Sequence, residues 1–371
     1  MPREIRAAVS PGQGAPPVIE TLTLDDPAPD EVVIRVEAAG ICHTDLTVAQ
    51  WSPAPTVLGH EGAGVVVETG SAVTDFAKGD RVLATFGSCG TCPNCEDKRP
   101  AYCFNMVPLN FEGRRSVSSP ALLRGDGTPV AGSFFQQSSF ATHALATQRN
   151  CVRLPDWLDM QTAAPLGCGI QTGSGAVFNQ LGARPGRPLL VIGAGAVGCA
   201  AVMAGKIIGC APIIVVELIE ERRALALSMG ATHALDGSDT DWPAKVRELT
   251  GGVGANSALD TAGIMATFEG ALAALHPGGS LGVLTLPGPM GEKIPHPGGF
   301  DYLTKNLIGV IEGDAVPAEF LPRLIAYHSA GDLPVDRLIT LYRFADIAQA
   351  FADAASGTVI KPVLTFEDEH P

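Results

Sequence analysis

Short apolar runs alternate with helical segments in the second half of the chain. The run from Leu189 to Ile192 is followed by glycines, a helical segment and a second apolar run from Ile213 to Val216. Short apolar runs bounded by glycine are typical of buried strands in a parallel sheet, in which helices connect the strands. The later segments "NSALDTAG" and "GSLGVLTLP" repeat this pattern, with the helical segment "MATFEGALAALHPGG" between them. The pattern therefore predicts an α/β fold with a doubly wound parallel sheet.

Three glycines follow the first apolar run at the spacing of a dinucleotide-binding turn. Gly193, Gly195 and Gly198 form the pattern G-x-G-x-x-G. The first glycine permits a tight turn, the second lets a pyrophosphate approach the backbone, and the third lets helix and strand pack closely. Glu217 ends the second strand, where its carboxylate would accept hydrogen bonds from ribose hydroxyls and repel a 2'-phosphate. These features favour NAD over NADP, but Arg222 is of the type that accommodates such a phosphate, so NADP stays an alternative.

The composition allows two folded domains and argues against several classes of partner. The chain has 371 residues, of which 46% are apolar and 17% are charged, and this suffices for a large core. A formal net charge of −14 without a basic run argues against nucleic-acid binding. We find no signal-peptide pattern and no apolar stretch of membrane-spanning length. We therefore expect a cytoplasmic protein, in which the odd number of nine cysteines stays reduced.

Four cysteines lie close together in "GSCGTCPNCEDKRPAYC". Cys89, Cys92, Cys95 and Cys103 have the spacing C-x2-C-x2-C-x7-C. Four thiolates can enclose a zinc ion in a tetrahedron that leaves no position for water. The Gly, Pro and Asn residues between them suit the tight turns of such a loop. We predict a structural zinc site; unrelated thiols, disulfide pairs, an iron–sulfur cluster and a DNA-binding zinc finger are the alternatives.

A second set of metal-binding residue types is dispersed along the chain. Cys42, His60 and Glu61 lie in "GICHTDLTVAQWSPAPTVLGHEGAG", and Cys168 lies in "PLGCGIQTG". Two cysteines and one histidine would bind zinc and leave one position open, as a catalytic metal requires. Zinc in such a site lowers the pKa of a bound oxygen by many units. The alternative interpretation is a structural histidine and ordinary buried thiols.

Four segments in this order, "GHEGAG", "CGTCPNCEDKRPAYC", "GCGIQTG" and "VIGAGAVG", resemble the zinc-dependent medium-chain alcohol dehydrogenases. The resemblance covers essentially the whole chain and is closest to the aryl-alcohol (benzyl alcohol) dehydrogenases, through "ICHTDL", "FFQQSSFATHA" and "SGTVIKPVL". It implies a mainly β GroES-like catalytic domain at residues 1–168, a Rossmann NAD-binding domain at 169–308 and a catalytic return segment at 309–371. Alcohol dehydrogenases are themselves the standard example of a catalytic Cys2His zinc.

The resemblance also implies roles for individual residues, with NAD and two zinc ions, one catalytic and one structural, as cofactors. The implied ligands of the catalytic zinc are Cys42, His60 and Cys168, with Glu61 as an alternate ligand. Asp45 would orient His60, and Thr44 would hydrogen-bond the alcohol oxygen and begin proton removal. The implied cofactor contacts are His43 and Lys361 at the pyrophosphate, and Thr172 and Val197 at the nicotinamide.

The sequence departs from the family pattern at two places. Thr47 stands where many relatives have a histidine that passes the proton to solvent, so the route of the proton is open. Only 17 residues separate Cys42 from His60, which is fewer than the family leads us to expect. This spacing predicts a shortened loop beside the substrate pocket.

Aromatic residues align with the substrate channel of the family. The candidates are Phe86, Phe134, Phe135 and Trp51, although each could instead belong to the core. Aromatic walls suit a flat aryl or allylic alcohol, and we find no basic residue placed for a carboxylate. We therefore expect reversible oxidation of primary aromatic or allylic alcohols to aldehydes.

Several alternatives to this activity stay open. The enzymatic ones are a glutathione-dependent formaldehyde dehydrogenase and a short aliphatic alcohol dehydrogenase. A non-catalytic zinc-stapled binding protein and a zinc-dependent nucleic-acid binder belong to other classes. By analogy with dimeric relatives, we expect a homodimer that pairs through the later Rossmann strands, with a small alcohol or aldehyde as the other partner and no nucleic acid or membrane.

Overall fold

The computed structural model describes residues 3–52, 55–285 and 303–369, and the chain divides into two compact units. The first unit comprises Met1–Cys168, Val316–Arg323 and Val335–Pro371, and the second comprises Gly169–Ala315 and Leu324–Pro334. The chain thus leaves the first unit after Cys168 and later returns to it. Within the described ranges, the helices are all too short or too polar to cross a lipid bilayer.

The strands are numbered in chain order. Those before the second unit are β1 Arg3–Ser10, β2 Val18–Leu24, β3 Glu31–Gly40, β4 Thr56–Val57, β5 Gly62–Thr69, β6 Arg81–Ala84, β7 Leu122–Leu123, β8 Pro129–Val130, β9 His143–Thr147 and β10 Cys151–Arg153. Those of the second unit are β11 Leu189–Ile192, β12 Ile213–Glu217, β13 His233–Asp236, β14 Ala255–Asp260, β15 Leu275–Val283 and β16 Asn306–Gly309. The last two are β17 Ile339–Arg343 and β18 Lys361–Thr365.

The α-helices are numbered in the same way. They are α1 His43–Trp51, α2 Pro93–Glu96, α3 Met106–Asn110, α4 Met160–Ala163, α5 Gly169–Gly175, α6 Ala196–Ile208, α7 Glu220–Met229, α8 Trp242–Leu249, α9 Met265–Ala274, α10 Pro317–Ser329 and α11 Ile347–Ser356. Helices α6 to α9 connect strands of the second unit. In the first unit, more residues lie in β-strands than in α-helices.

Two sheets form the first unit. One has the strand order β4-β1-β2-β7-β8, and the other has the order β10-β6-β5-β3-β18-β17, with β9 also paired to β3. Strand β3 is buried along almost its whole length, and Val32, Ile34 and Val66 lie in the core that this sheet covers. Strand β18 pairs with the end of β3, where Val363 lies opposite Gly40. The returning segment therefore completes the sheet from which α1 and the first candidate metal ligands emerge.

Six parallel strands form the sheet of the second unit, in the order β13-β12-β11-β14-β15-β16. Numbered from β11, this is the order 3-2-1-4-5-6 of the doubly wound dinucleotide-binding fold. The predicted strands Leu189–Ile192 and Ile213–Glu217 are confirmed as β11 and β12, both fully buried. Their sequences are apolar throughout because helices cover both faces of a parallel sheet. The predicted fold class is thereby confirmed for this unit.

One predicted boundary in this unit was wrong. The segment "MATFEGALAALHPGG" was expected to be helical, but α9 ends at Ala274 and β15 begins at Leu275. Pro277 lacks a backbone N–H and cannot continue a helix. Gly278 has a φ of 85°, which a helix does not accommodate. The chain therefore turns directly from the helix into the next strand.

Candidate metal centres and cofactor-binding turn

The structure brings the four dispersed candidate ligands together. One ligand atom each from Cys42, His60, Glu61 and Cys168 lies within 4.8 Å of the others. Cys42 precedes the first turn of α1, His60 and Glu61 precede β5, and Cys168 precedes α5. Two thiols and an imidazole nitrogen at this separation suit the N and S preference and the coordination distances of zinc.

The backbone around this cluster has little room. A Cβ atom on Gly40 would lie 2.0 Å from Oε2 of Glu61, so only glycine fits at the end of β3. Gly59 has a φ of 93°, a conformation that residues with a side chain rarely adopt. The Gly40 N–H donates to the carbonyl of Glu61 at 2.9 Å. These contacts hold the segment Gly59–Gly62 against the end of β3.

Asp45 orients the imidazole of His60. Its Oδ1 lies 2.9 Å from Nδ1 of His60, and both side chains are fully buried. The same carboxylate accepts the N–H groups of Gly59 and Cys42 at 3.0 and 2.9 Å. Because a carboxylate accepts a hydrogen bond from the N–H at Nδ1, the lone pair of the neutral imidazole is left on Nε2. Nε2 is buried without a hydrogen-bond partner, and a metal ion is the partner that such an orphaned acceptor beside two thiols fits.

The charges around the cluster favour the thiolate of Cys42. A hydrogen bond from Cys168, followed by the charges of His60 and Lys361, lowers the pKa of Cys42 well below its usual value despite burial. Burial disfavours a charged imidazole, yet Asp45 raises the pKa of His60 well above its usual range. The negative charges of Asp45 and Cys42 therefore favour a positive charge at the imidazole, and a metal ion bound at Nε2 would take over this attraction.

Lys361 lies beside this cluster and is paired with Glu61. Its Nζ donates to both carboxylate oxygens of Glu61 at 2.8 and 2.9 Å and to the carbonyl of Ile41 at 3.2 Å. An ammonium group has three N–H donors, so these contacts use all of them. The residue is only 2% exposed. Lys361 therefore neutralises Glu61, and its implied contact with the cofactor pyrophosphate stays a prediction.

The residues of α1 next to Cys42 lie as follows. The Thr44 hydroxyl is 3.9 Å from Sγ of Cys42, so it borders the cluster. The Thr47 hydroxyl donates to the carbonyl of His43 at 3.0 Å, which occupies its only proton. The side chain of His43 is exposed at the start of the helix, and Trp51 at its end is 44% exposed.

Two phenylalanines contact the imidazole of His60, and a third packs against them. The ring of Phe135 stacks on it with centroids 4.6 Å apart, and Phe134 meets it edge-on at 5.5 Å. Phe111 packs edge-on against Phe134 at 6.0 Å and against Phe135 at 5.3 Å between ring centroids. Phe86 is buried at the end of β6. Phe111 was not among the predicted residues, because its contact with this cluster depends on the fold of a segment with no pattern of its own.

The four neighbouring cysteines form a second, separate cluster. Sγ–Sγ distances are 3.5 Å for Cys92–Cys95 and 4.0 Å for both Cys89–Cys95 and Cys92–Cys103. A tetrahedron with Zn–S bonds of about 2.3 Å has S–S edges of about 3.8 Å, whereas a disulfide needs about 2.05 Å. The distances therefore fit a four-thiolate zinc site and not disulfides.

Backbone amides point at the sulfurs of this cluster. The N–H groups of Cys89 and Asn105 each donate to Sγ of Cys103 at 3.3 Å, and that of Phe104 donates to Cys92 at 3.5 Å. Burial raises the pKa of Cys89, but nearby donors outweigh it and lower the pKa to about 5. N–H donors stabilise thiolates, but burial outweighs them at Cys103, whose pKa is raised, and raises the pKa of Cys95 to about 12. Cys89 and Cys92 are therefore the thiols of this cluster that ionise most readily.

The glycine turn of the second unit has the geometry that a dinucleotide requires. Gly193 has a φ of 91°. A Cβ atom on Gly198 would lie 1.9 Å from the carbonyl oxygen of Gly193, whereas one on Gly195 would meet no atom within 4 Å. Gly198 is therefore required by packing of the protein itself, and Gly195 leaves the open space into which a pyrophosphate fits, at the N-terminus of α6.

This difference between two glycines gives a paired prediction. Gly198→Ala should destabilise the protein by about 3 kcal/mol or more, because its Cβ meets backbone that cannot move aside. Gly195→Ala should change stability by no more than about 1 kcal/mol, since only a helix cap is altered, but should weaken NAD binding about 10- to 100-fold. Denaturant unfolding and NAD titration measure the two effects. Equal stability of both variants, or unchanged NAD affinity of Gly195→Ala, would contradict this interpretation of the turn.

Glu217 lies at the end of β12, beside this turn. Its carboxylate accepts the N–H groups of Ala194 at 2.7 Å and Ile219 at 3.0 Å. Arg222 lies in the first turns of α7, but it is Arg223 that donates to the carbonyl of Glu217 at 2.8 Å. Arg223 was not among the predicted residues, because two adjacent arginines on a helix cannot be told apart before its phase is known.

Two residues predicted at the nicotinamide lie on helices that pack together. Thr172 is buried in α5, and Val197 is in the first turn of α6. A Cβ atom on Gly173 would lie 2.0 Å from the carbonyl oxygen of Val197. The absence of a side chain at Gly173 therefore brings Thr172 close to Val197.

Comparison with known proteins agrees with this geometry. Residues 28–156 match the family described as alcohol dehydrogenase GroES-like domain, and residues 196–326 match the family described as zinc-binding dehydrogenase. The chain is 44% identical to a geraniol dehydrogenase of Castellaniella defragrans over 367 residues, 97% of each protein. Its structure superposes on a zinc-binding alcohol dehydrogenase domain protein from Burkholderia ambifaria with a TM-score of 0.94 and 42% identity, covering 98% and 99% of the chains. A benzyl alcohol dehydrogenase from Acinetobacter calcoaceticus gives a TM-score of 0.92 at 37% identity and the same coverage.

Proposed function

The chain belongs to the zinc-dependent medium-chain alcohol dehydrogenases, and on this premise we propose that it reversibly oxidises primary aromatic or allylic alcohols to aldehydes with NAD. The observation that carries the proposal is the group of Cys42, Cys168 and His60, whose ligand atoms lie within 4.8 Å of one another and whose buried imidazole has an Nε2 without a hydrogen-bond partner. The similar proteins named for geraniol, an allylic alcohol, and for benzyl alcohol support the choice of substrate.

The residues of the first unit divide the chemical tasks between them. Zinc held by Cys42, His60 and Cys168 would supply the Lewis acidity that makes an alcohol hydroxyl a proton donor. The hydroxyl of Thr44 borders the cluster, so it would accept a hydrogen bond from the hydroxyl of the alcohol. Asp45 holds the imidazole in the tautomer and direction that a metal ligand needs. We assign proton release to ribose hydroxyls and solvent, because the Thr47 hydroxyl is engaged with its own helix.

The second unit would bind the cofactor. NAD would accept the hydride from the substrate carbon. Its pyrophosphate fits the open side of Gly195, and Thr172 and Val197 offer a wall for the nicotinamide. Glu217 supports NAD over NADP, because a carboxylate at this position repels a 2'-phosphate. Arg223 donates to the carbonyl of Glu217, and Arg222 stays the candidate contact for a 2'-phosphate, so NADP is the alternative cofactor.

We assign the substrate specificity to the phenylalanines around His60. Phe134 and Phe135 present aromatic surface next to the proposed metal site. A phenyl group buries roughly 100 Å² more apolar surface than the methyl group of ethanol, which is worth about 2.5 kcal/mol at ~25 cal/mol per Å². This difference corresponds to about a 70-fold preference. Charged glutathione would need basic partners; Lys361, the basic residue beside the cluster, is already paired with Glu61, whereas the rings that contact the imidazole are aromatic.

The test is a substrate panel followed by NADH absorbance, with benzyl alcohol, cinnamyl alcohol, geraniol and ethanol. We expect kcat/KM for the aryl and allylic alcohols to exceed that for ethanol by about 70-fold, and NAD to be used better than NADP. Preference for ethanol would favour the short aliphatic alternative and contradict the role of the phenylalanines. Absence of turnover with every alcohol would contradict the proposed reaction.

The assembly and the compartment complete the proposal. Strand β16 is the last strand of the parallel sheet among the described residues, and pairing of β16 with its counterpart in a second copy would extend this sheet, which supports a homodimer. Sedimentation velocity tests this, and a monomer would contradict it. All nine cysteines are free of disulfides, which supports a reducing, cytoplasmic location.

A further inference from the structure

Gln137 is a buried residue that contacts the segment bearing His60 and Glu61 at other atoms than Asp45 does. Its Oε1 accepts the N–H of Gly62 at 3.0 Å, and its Nε2 donates to the carbonyl of His60 at 3.0 Å and to that of Thr85 at 3.1 Å. The side chain is only 2% exposed. The acceptor and both donors of its amide are therefore in use.

Two side chains thus bracket the four residues Gly59–Gly62. Asp45 holds the N–H of Gly59 and the ring of His60. Gln137 holds the carbonyl of His60 and the N–H of Gly62, on either side of Glu61. The position of the imidazole relative to the thiols is consequently set at its ring by Asp45 and at its backbone by Gln137.

The loop that carries Gln137 is itself held in an unusual conformation. Ser133, Phe135, Gln136 and Ser138 have φ values of 60°, 51°, 52° and 49°, which residues with a side chain adopt only when their surroundings impose it. The Ser138 hydroxyl donates to the carbonyl of Val57 at 2.7 Å and accepts the N–H of Phe134 at 2.9 Å. A loop fixed in this way delivers an amide group with little freedom.

We propose that Gln137 is a positioning residue that aligns His60 for metal binding; this inference rests on the proposed function. Residues that orient metal ligands from behind commonly change metal affinity or activity 10- to 100-fold when they are replaced. An amide is suited to this task because it offers an acceptor and donors at once. A side chain of similar length without hydrogen bonds fills the same space but leaves the segment free to shift.

Gln137→Met and a matched control, Asn150→Ala, test the proposal. Asn150 uses Nδ2 to hold the carbonyls of Thr85, Phe135 and Gln136, so it supports the same loop without contacting the segment Gly59–Gly62. The first readout is the rate at which a chelator removes zinc from the site of Cys42, His60 and Cys168. The others are the visible spectrum of the cobalt-substituted enzyme, and kcat and KM separately.

Gln137→Met should release this zinc about 10- to 100-fold faster than wild type, change the cobalt spectrum and lower kcat more than it raises KM. Asn150→Ala should release zinc as slowly as wild type does, even if its midpoint of thermal unfolding falls as much as that of Gln137→Met. Equal release rates and spectra in the two variants would overturn the proposal. If Gln137→Met does not fold, Gln137→Asn keeps the amide, shortens its reach and should show a smaller change in the same direction, and an unchanged spectrum would overturn the proposal.

Wild-type protein is measured in parallel, because the two proposals fail differently. Wild type with only one zinc and no turnover would overturn the proposed function, and with it the role of Gln137. Wild type with both zinc ions and full turnover, beside a Gln137→Met variant that matches Asn150→Ala, would overturn only the positioning role.

Discussion

Replacement of Cys42 by alanine should lower kcat/KM for the best aryl or allylic alcohol by about 10³-fold and should reduce the zinc content from two ions per chain to one, since two ligand clusters are present. The reason is that Cys42 is one of two thiols beside the Nε2 of His60, and its lowered pKa makes it the readiest anionic ligand of the cluster. With it absent, the thiol of Cys168 and the imidazole of His60 remain beside a Glu61 carboxylate that Lys361 already neutralises, and we expect this set to hold zinc too weakly to retain it. Metal analysis and steady-state kinetics on the same preparation check both effects.

Cys151→Ala is the matched control for this experiment. Cys151 lies in the same unit and is more buried than Cys42, but burial alone raises the pKa of its thiol to about 12, and within the described ranges it belongs to no group of metal-binding residue types. This variant should keep both zinc ions and wild-type turnover. A Cys42→Ala variant that retains two zinc ions and full activity would show that the cluster is not the catalytic metal site.

Replacement of Lys361 by methionine should destabilise the protein by about 3–5 kcal/mol, because it leaves the carboxylate of Glu61 buried without a counter-ion. The side chains of the pair are 3% and 0% exposed, so water cannot replace the lost ammonium. Methionine has a similar length and preserves the packing. Urea unfolding of the zinc-loaded protein measures the loss.

The double variant Lys361→Met/Glu61→Gln separates charge from packing. Removal of both charges should restore most of the stability, since a neutral pair in a buried site carries no uncompensated charge. Arg343→Met, which removes a guanidinium paired with Asp346 at the surface, is the control and should cost less than about 1 kcal/mol. Additive losses in the double variant would show that Lys361 and Glu61 do not act as a pair.

Local patterns in the sequence predicted local structure well. The strands β11 and β12 and the turn at Gly193 follow from apolar runs and glycine spacing, because their conformation is decided by neighbours in the chain. The fold class and the family, now supported along most of the chain, rest on such segments. The two cysteine-containing clusters were grouped as candidates from residue type and resemblance, and their roles as zinc sites stay predictions.

Contacts between segments that are distant in the chain could not be predicted from the sequence. Lys361 meets Glu61 only because β18 pairs with the end of β3 in one register, and no pattern near either residue indicates this. Gln137 sits in the segment "FFQQSSF", where two glutamines adjoin and only the left-handed backbone decides which one turns towards His60. Phe111 is an ordinary apolar residue until the cysteine loop and the phenylalanine segment meet.

The pairing of β18 with β3 also has a consequence for the order in which the protein is made. About 320 residues separate the end of β3 from the start of β18, so a ribosome that adds roughly 5–20 residues per second needs about 16–64 s to supply the second strand after the first. During this interval the edge of β3 that β18 later occupies is unpaired, and the carboxylate of Glu61 lacks the ammonium group of Lys361 as its partner. The dinucleotide-binding unit is synthesised within the same interval. Maturation of the Cys42 cluster is therefore a late event, completed only when the carboxyl-terminal strand has emerged and docked.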